Sequence, residues 1–169
     1  MSDFVKTDLK TFETNPFELI DKQWMLITAK NGDKVNAMTA SWGGMGIMWN
    51  KKVVYVFIRP QRYTREFVDV SDTFSLCFLD ETYRKTLNYF GTASGRDEDK
   101  ISKQNMHILD KDGTPFFEES EMVILCKKLY RQRLASDGFI IPEMNTQFYQ
   151  NDDHHYMYIA EIQDILKKK

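Results

Sequence analysis

The chain has 169 residues and a nearly even charge balance, 23 Lys and Arg against 25 Asp and Glu, for a net charge of -2. That length suits one domain spanning 1–169, large enough to bury a core without staples and too short for two folded units. The balance excludes a global positive field of the kind that draws nucleic acid or an anionic membrane, so any anion site has to be local.

In chain order, Asn15-Pro16 places a cap and a first-turn proline ahead of a short helix over 17–22. Residues 24–30 read as a strand, Asn31-Gly32 as a tight hairpin turn, and 34–41 as the returning strand. Residues 42–50 hold Gly43, Gly44 and Gly46. Such glycine density is costly in a regular element, so a loop is expected there. Residues 53–58, Val-Val-Tyr-Val-Phe-Ile, are apolar without alternation, as in a strand covered on both faces, and Pro60 ends its ladder. This run falls far short of the roughly 20 residues that span a bilayer. The first residues carry neither a basic start nor an apolar segment of the secretory type, and a cytoplasmic location is expected.

Thr64 is placed to cap a helix reaching Val70, and 73–79 form the next strand. Asp80 caps a helix over 81–90, with Tyr83, Leu87 and Phe90 on one face and Gly91 closing it. A short helix from about Asp99 follows, then a turn at Asp112-Gly113, a long strand over 122–134 and a last strand over 155–165. About six strands with short turns and a few short flanking helices predict a mainly β fold, a closed or partly closed antiparallel barrel. Cys77 and Cys126 both lie in apolar strand contexts and read as small buried hydrophobes.

Three segments carry chemistry. Arg59-Pro60-Gln61-Arg62-Tyr63-Thr64 runs from a strand end into a helix start, where amides with partial positive charge, a hydroxyl and forked guanidinium groups favour a phosphate. The same arginines could instead pair with Glu66 or Asp69 on the surface. Ser94, Gly95, Arg96 and Lys100 form a second donor cluster, partly offset by Asp97, Glu98 and Asp99. Met38, Thr39, Ala40, Ser41, Trp42 and Gly43 form a strand edge of small and hydroxyl residues that could face the polar rim of a heterocycle, or could simply be a hairpin strand with Trp42 in the core. Together the three fit a phosphorylated, flat aromatic cofactor of the FMN kind. Of His154 and His155, adjacent ahead of the last strand, at most one can face a given pocket. Neither histidine has partners at a metal-site spacing, and no Walker, nucleophile-elbow or dinucleotide glycine motif occurs.

Taken in order, Met38-Thr39-Ala40-Ser41-Trp42-Gly43, the Arg59 to Thr64 stretch, Asn88-Tyr89-Phe90-Gly91-Thr92-Ala93-Ser94-Gly95-Arg96-Asp97 with Lys100, and His155 with Met157-Tyr158-Ile159-Ala160-Glu161-Ile162 resemble the flavin reductase-like family, flavoredoxins included. The resemblance implies an FMN-binding split β-barrel of antiparallel, Greek-key type and a homodimer. It implies that 38–43 line the isoalloxazine, and that Arg59, Arg62, Tyr63, Thr64, Ser94, Arg96 and Lys100 surround the ribityl phosphate. NADH or NADPH would be the electron donor, or a redox partner protein in a flavoredoxin-type carrier; a flavin-binding module without turnover is the third possibility. Phe90 and Ala160 depart from the smaller residues frequent in relatives, which bears on packing and removes no phosphate donor.

Overall fold

The computed structural model describes residues 3–169 and is mainly β. Its strands are β1 (Phe4–Thr7), β2 (Met25–Asn31), β3 (Lys34–Ala40), β4 (Gly43–Met48), β5 (Lys51–Ile58), β6 (Thr73–Phe78), β7 (Ile108–Lys111), β8 (Thr114–Phe117), β9 (Met122–Arg133) and β10 (Tyr156–Lys168). Four short helices, α1 (Tyr63–Val70), α2 (Arg84–Thr92), α3 (Lys100–Lys103) and α4 (Pro142–Phe148), lie between them. No helix among the described residues is long and apolar enough to cross a membrane.

All pairings are antiparallel, in the order β3-β2-β6-β9-β10-β5-β4, with β1 added along the far half of β10. The two ends of this path, β3 and β4, are separated in sequence by Ser41 and Trp42 alone. A sheet whose edges are tied by two residues has to curl on itself, which gives a barrel split between β3 and β4. Register shifts in β10 at Ile159/Ala160 and Ile162/Asp164 supply local bending, as bulges do at barrel corners.

The pleat sorts neighbouring residues into two cores. Ile27, Leu76 and Ile124 point into the barrel with Val54, Val56, Ile58, Phe74 and Tyr158, while Leu26, Cys77, Val123 and Leu125 pack outward against Leu87 and Phe90 of α2 and Phe116 and Phe117 of β8. Both cysteines are buried, and burial pushes their thiols above the ordinary range, in keeping with a packing role.

Several elements differ from expectation. Residues 43–48 form an edge strand on β5, and the β4–β5 hairpin closes through Trp49 and Asn50, both at positive φ (51° and 58°). The glycines that argued for a loop allow close approach instead: Gly43 has φ +154°, and a Cβ there would lie 2.5 Å from the Tyr55 carbonyl oxygen. β5 is fully covered on the face of Val54, Val56 and Ile58 and only in part on the other, where Val53 is buried and Tyr55 is 37% exposed beside β4. Asp80 caps a 3-10 turn over Glu81–Tyr83, and α2 then runs through Gly91 to Thr92. Arg62 takes over the closing role, donating to the carbonyls of Phe90 and Gly91. Strand β1, helix α4 and the β7–β8 pairing on either side of the Asp112-Gly113 turn go beyond the six strands expected, and β10 runs three residues past Ile165.

Candidate functional site

The end of β5 passes through Pro60 into α1, and residues 93–99 lead from the end of α2 to α3, whose Lys100 reaches β3. These junctions meet around a cavity of about 200 Å³ lined by Asn36, Arg62, Tyr63, Thr64, Ser94, Gly95 and Lys100 among others. Thr64 sits inside the first turn of α1 and is not its cap. Arg62 holds the cap position and makes no side-chain capping bond, so the first amides of the helix have no side-chain acceptor. The Thr64 hydroxyl accepts from Asn36 Nδ2 at 2.9 Å, and both residues are buried.

Two cations converge here. Lys100 is 3% exposed, and its Nζ donates to the Ala37 carbonyl at 2.7 Å and the Phe90 carbonyl at 3.3 Å. Phe90 also places its ring 5.0 Å from that ammonium. Arg62 donates to the same Phe90 carbonyl at 3.0 Å. Among the described residues neither Lys100 nor Arg62 makes an ion pair with a carboxylate, whereas Arg59, Arg65 and Arg96 all do. Burial, joined by the charge of Arg62, lowers the Lys100 pKa to about 8, and burial alone lowers that of Arg62. A buried ammonium beside a half-buried guanidinium, with no carboxylate ion-paired to either among the described residues, is costly unless an anion joins them.

Gly95 closes the cradle. A Cβ there would fall 2.2 Å from Asn36 Oδ1 and 3.2 Å from Tyr63 Cδ1, so only glycine lets the chain lie against the amide and the ring. Ser94 Oγ accepts from the Arg96 amide at 3.2 Å and shapes this turn.

Arg62 also lines a second cavity, of about 260 Å³, with Met38, Thr39, Ala40, Ser41, Trp42, Phe57, Arg59 and His155. Thr39 commits its hydroxyl to the Leu87 carbonyl at 2.5 Å, which leaves Ser41 and the backbone of 39–42 as the polar edge. Trp42, 41% exposed, packs on His155 (4.9 Å between centroids) and Phe148 (5.5 Å). His155 is buried and bonded through Nδ1 to the Tyr149 hydroxyl at 2.9 Å. Burial first, and then the neighbouring Arg59 charge, lower its pKa to about 4. The ring is therefore neutral at pH 7, and in a histidine NMR titration it should stay unprotonated down to about pH 5. Its folded-state pKa lies below the ordinary 6.5, so the stability tied to it is held above that value and lost as pH falls toward 4.

The fifteen residues singled out from sequence thus divide. Arg62, Tyr63, Thr64, Ser94, Gly95 and Lys100 surround the first cavity, and Met38, Thr39, Ala40, Ser41, Trp42, Arg59 and His155 join Arg62 at the second. Arg59, expected beside the phosphate, lies in the second group, held by the Asp153 carboxylate and the Phe148 carbonyl. Arg96 stands outside both cavities, ion-paired to Glu66 and stacked over Tyr63 at 4.7 Å. Gly43 faces a neighbouring apolar groove of about 550 Å³ that also involves Phe17, Trp42, Tyr55 and Phe57. His154 turns away to Asp152 and Asn145. Asn36, at the head of the informative stretch 36–44, was not among the site residues expected from sequence. Its signal was position: it shares the inward face of β3 with Met38 and Ala40, where an amide is out of place unless it bonds something.

The family described as Flavin reductase like domain matches residues 18–168. No curated protein sequence matches the chain. Among solved structures, the FMN-binding domain of a flavin reductases-like enzyme from Shewanella baltica OS155 is 18% identical with a TM-score of 0.71, covering 98% of this chain and 77% of that one. Flavoredoxin of Desulfovibrio vulgaris (Miyazaki F) is 20% identical at TM-score 0.68, with coverage of 98% and 77%. An FMN-binding protein from Thermus thermophilus with bound p-hydroxybenzaldehyde is 15% identical at TM-score 0.69, with coverage of 96% and 81%. At these identities the likeness establishes the fold.

Proposed function

Because the chain belongs to the flavin reductase-like family, we propose that it is an FMN-binding oxidoreductase that passes electrons from a nicotinamide cofactor through flavin to an acceptor. The observation that carries this is the Lys100–Arg62 pair, a buried ammonium and a half-buried guanidinium without an ion-paired carboxylate among the described residues, set against the uncapped start of α1 in a glycine-lined cradle. That donor set fits a phosphate dianion. The adjoining cavity, sharing Arg62, has the strand edge and aromatic walls suited to a ring system, and the two together fall in the roughly 300–1,000 Å³ range of ligand sites.

In this reading Lys100, Arg62 and the amides of Tyr63 and Thr64 hold the phosphate, with Asn36 and Gly95 fixing the geometry. The backbone of 39–42 runs along the polar rim of the ring system, Trp42 and Phe57 exclude water, and neutral His155 adds a polar group without adding charge. Bound there, flavin supplies the two-electron chemistry that no side chain of this protein offers.

A specific observation favours a second reading, a flavoredoxin-type carrier reduced by a protein partner. No Lys or Arg lines the groove beside Trp42 that would otherwise receive the phosphates of a nicotinamide dinucleotide. Stopped-flow mixing of the FMN-loaded protein separates the two. Rapid bleaching by NADH or NADPH supports the enzyme, bleaching only by a reduced ferredoxin-type donor supports the carrier, and no productive reduction leaves a binding module.

We place the protein in the cytoplasm as one FMN-binding domain over 1–169, acting as a homodimer. Ile47 (71% exposed), Met48, Trp49 and Tyr130 offer an apolar face along the open edge strand β4. Light scattering should report twice the 20.0 kDa chain mass. Ile47→Asp combined with Trp49→Ser should reduce it to the monomer, and an unchanged dimer would remove that face from consideration.

A further inference from the structure

Arg65 and Asp69 stand four residues apart on α1, the spacing of an ordinary surface ion pair of small worth, yet each is tied to something beyond the helix. Arg65 places Nη1 2.5 Å from Asp69 Oδ2 and donates through Nε to the Pro60 carbonyl at 3.0 Å, in the turn that leads into α1. Asp69 is held from the barrel wall. The hydroxyl of Tyr158, a fully buried residue of β10, donates to its Oδ1 at 2.7 Å, and Arg131 of β9 donates to the same oxygen at 3.0 Å. The Tyr156 ring lies 5.3 Å from the Arg65 guanidinium and 5.5 Å from that of Arg131. Burial acts against the Asp69 carboxylate, but the bonds from Tyr158 and Arg131 and the charge of Arg65 outweigh it and hold its pKa below the ordinary range.

The far end of this chain of bonds is the phosphate cradle. Pro60 is followed by Gln61, Arg62, Tyr63 and Thr64, all of which line the cradle. In a planar trans peptide the carbonyl and the next amide point in opposite directions, so the bond that draws the Pro60 carbonyl toward Arg65 turns the Gln61 amide away from it. That amide has no acceptor among the described residues. The next carbonyl, that of Gln61, accepts from Arg96 at 3.1 Å, and the Arg62 amide donates back to the Arg59 carbonyl at 3.1 Å. The direction of the first α1 amides thus depends on where these carbonyls are held, and that of Pro60 is held by reference to the barrel wall.

We propose that Asp69, clamped by Tyr158 and Arg131, is a positioning residue for the anion site: through Arg65 it fixes the Pro60 carbonyl, and with it the amides of Gln61, Tyr63 and Thr64 that meet the flavin phosphate. The proposal rests on the flavin reading of the cradle. Asp69 and Arg65 line neither cavity. Their part is to hold the turn in its binding geometry before the ligand arrives, which spares binding the cost of ordering it.

Isothermal titration of flavin-free protein with FMN and with riboflavin tests this, because only FMN carries the phosphate that these amides meet. Asp69→Asn keeps the size of the side chain and an oxygen for Tyr158 but loses the carboxylate that holds Arg65. FMN should then bind about 10-fold more weakly, the effect of losing one well-aligned bond to the phosphate, with riboflavin changed less than about 2-fold. Arg65→Met should lose the same preference, and the double variant should lose no more than Arg65→Met alone, since the two residues act in series. Lys128→Met is the control. Lys128 donates to the Val68 and Asp69 carbonyls at the other end of α1, at 2.6 and 2.8 Å, so its loss should lower the melting temperature and leave the ratio of FMN to riboflavin affinity at the parent value. If Asp69→Asn keeps the parent's preference for FMN, if the two losses add in the double variant, or if Lys128→Met erodes the preference equally, the positioning role is refuted and the flavin reading stands. If Asp69→Asn does not fold, Arg65→Met decides alone: a lost preference supports the assignment and an unchanged one overturns it. If the parent protein binds FMN no more tightly than riboflavin, the phosphate reading falls, and the positioning role with it.

Discussion

Lys100→Met should bind FMN about 10- to 100-fold more weakly than the parent protein, with riboflavin affinity unchanged, because a charge-assisted bond to phosphate contributes about 1.5–3 kcal/mol and riboflavin has no phosphate to lose. The methionine keeps the aliphatic stem and removes the ammonium. Folding should tolerate the change, since the protein no longer holds a buried ammonium beside the half-buried Arg62 guanidinium with no carboxylate paired to either among the described residues. The carbonyls of Ala37 and Phe90 each lose a donor, which offsets part of that relief. A pH series gives an independent check with opposite signs for binding and stability. The Lys100 pKa lies at about 8, below the ordinary 10.5, so above pH 8 the ammonium is lost and FMN affinity should fall. Over the same window the unfolded chain binds the extra proton, so the flavin-free protein should gain stability from this group as pH rises from 8 to 10.5. In Lys100→Met both trends should disappear. Equal FMN affinity in variant and parent would remove Lys100 from the phosphate site.

How far the sequence could be read depends on whether a signal was local. The turn from β5 into α1 was legible because Pro60 stops a ladder and a helix pattern starts within four residues. The Asn31-Gly32 hairpin was legible for the same reason, and the structure pairs Asn31 with Lys34 across it. The division of labour among the arginines was not. Arg59 is claimed by Asp153 and Arg96 by Glu66, partners 94 and 30 residues away, and only the curl of the sheet brings them together. Arg62 looks the same in sequence, yet it meets the carbonyl end of α2 and keeps its charge uncompensated. Asn36 could not be assigned to the site because its meaning lies in its bond to Thr64 across the barrel. The edge strand β4 was missed because glycine weakens a strand on average, while here it is required by how closely another strand passes.

That last point leads to the largest stability effect expected. Gly43→Ala should destabilise the protein by about 2–4 kcal/mol, combining one strained backbone conformation with a steric clash that nothing nearby can relieve. At φ +154° an L side chain is disfavoured in any surroundings, and the added Cβ would stand 2.5 Å from the Tyr55 carbonyl oxygen and 3.4 Å from Met25 Cε. The carbonyl belongs to β5, which is held by β4 on one side and β10 on the other, so it cannot step aside without breaking a ladder. For a chain of this size the loss corresponds to a melting temperature lower by roughly 5–15 °C. Because Gly43 follows Ser41 and Trp42, the displacement should also open the ring cavity, so FMN retention should fall even where the fold survives. Gly46 is the control: in the same strand, with ordinary φ and nothing within 4 Å of where an added methyl would stand, Gly46→Ala should be neutral or slightly stabilising by lowering the entropy of the unfolded chain. Urea unfolding of both variants, followed by circular dichroism, decides the matter. Equal losses at the two positions would mean that the strand dislikes any side chain, and that the tight crossing at Gly43 has no special part in setting the edge of the barrel.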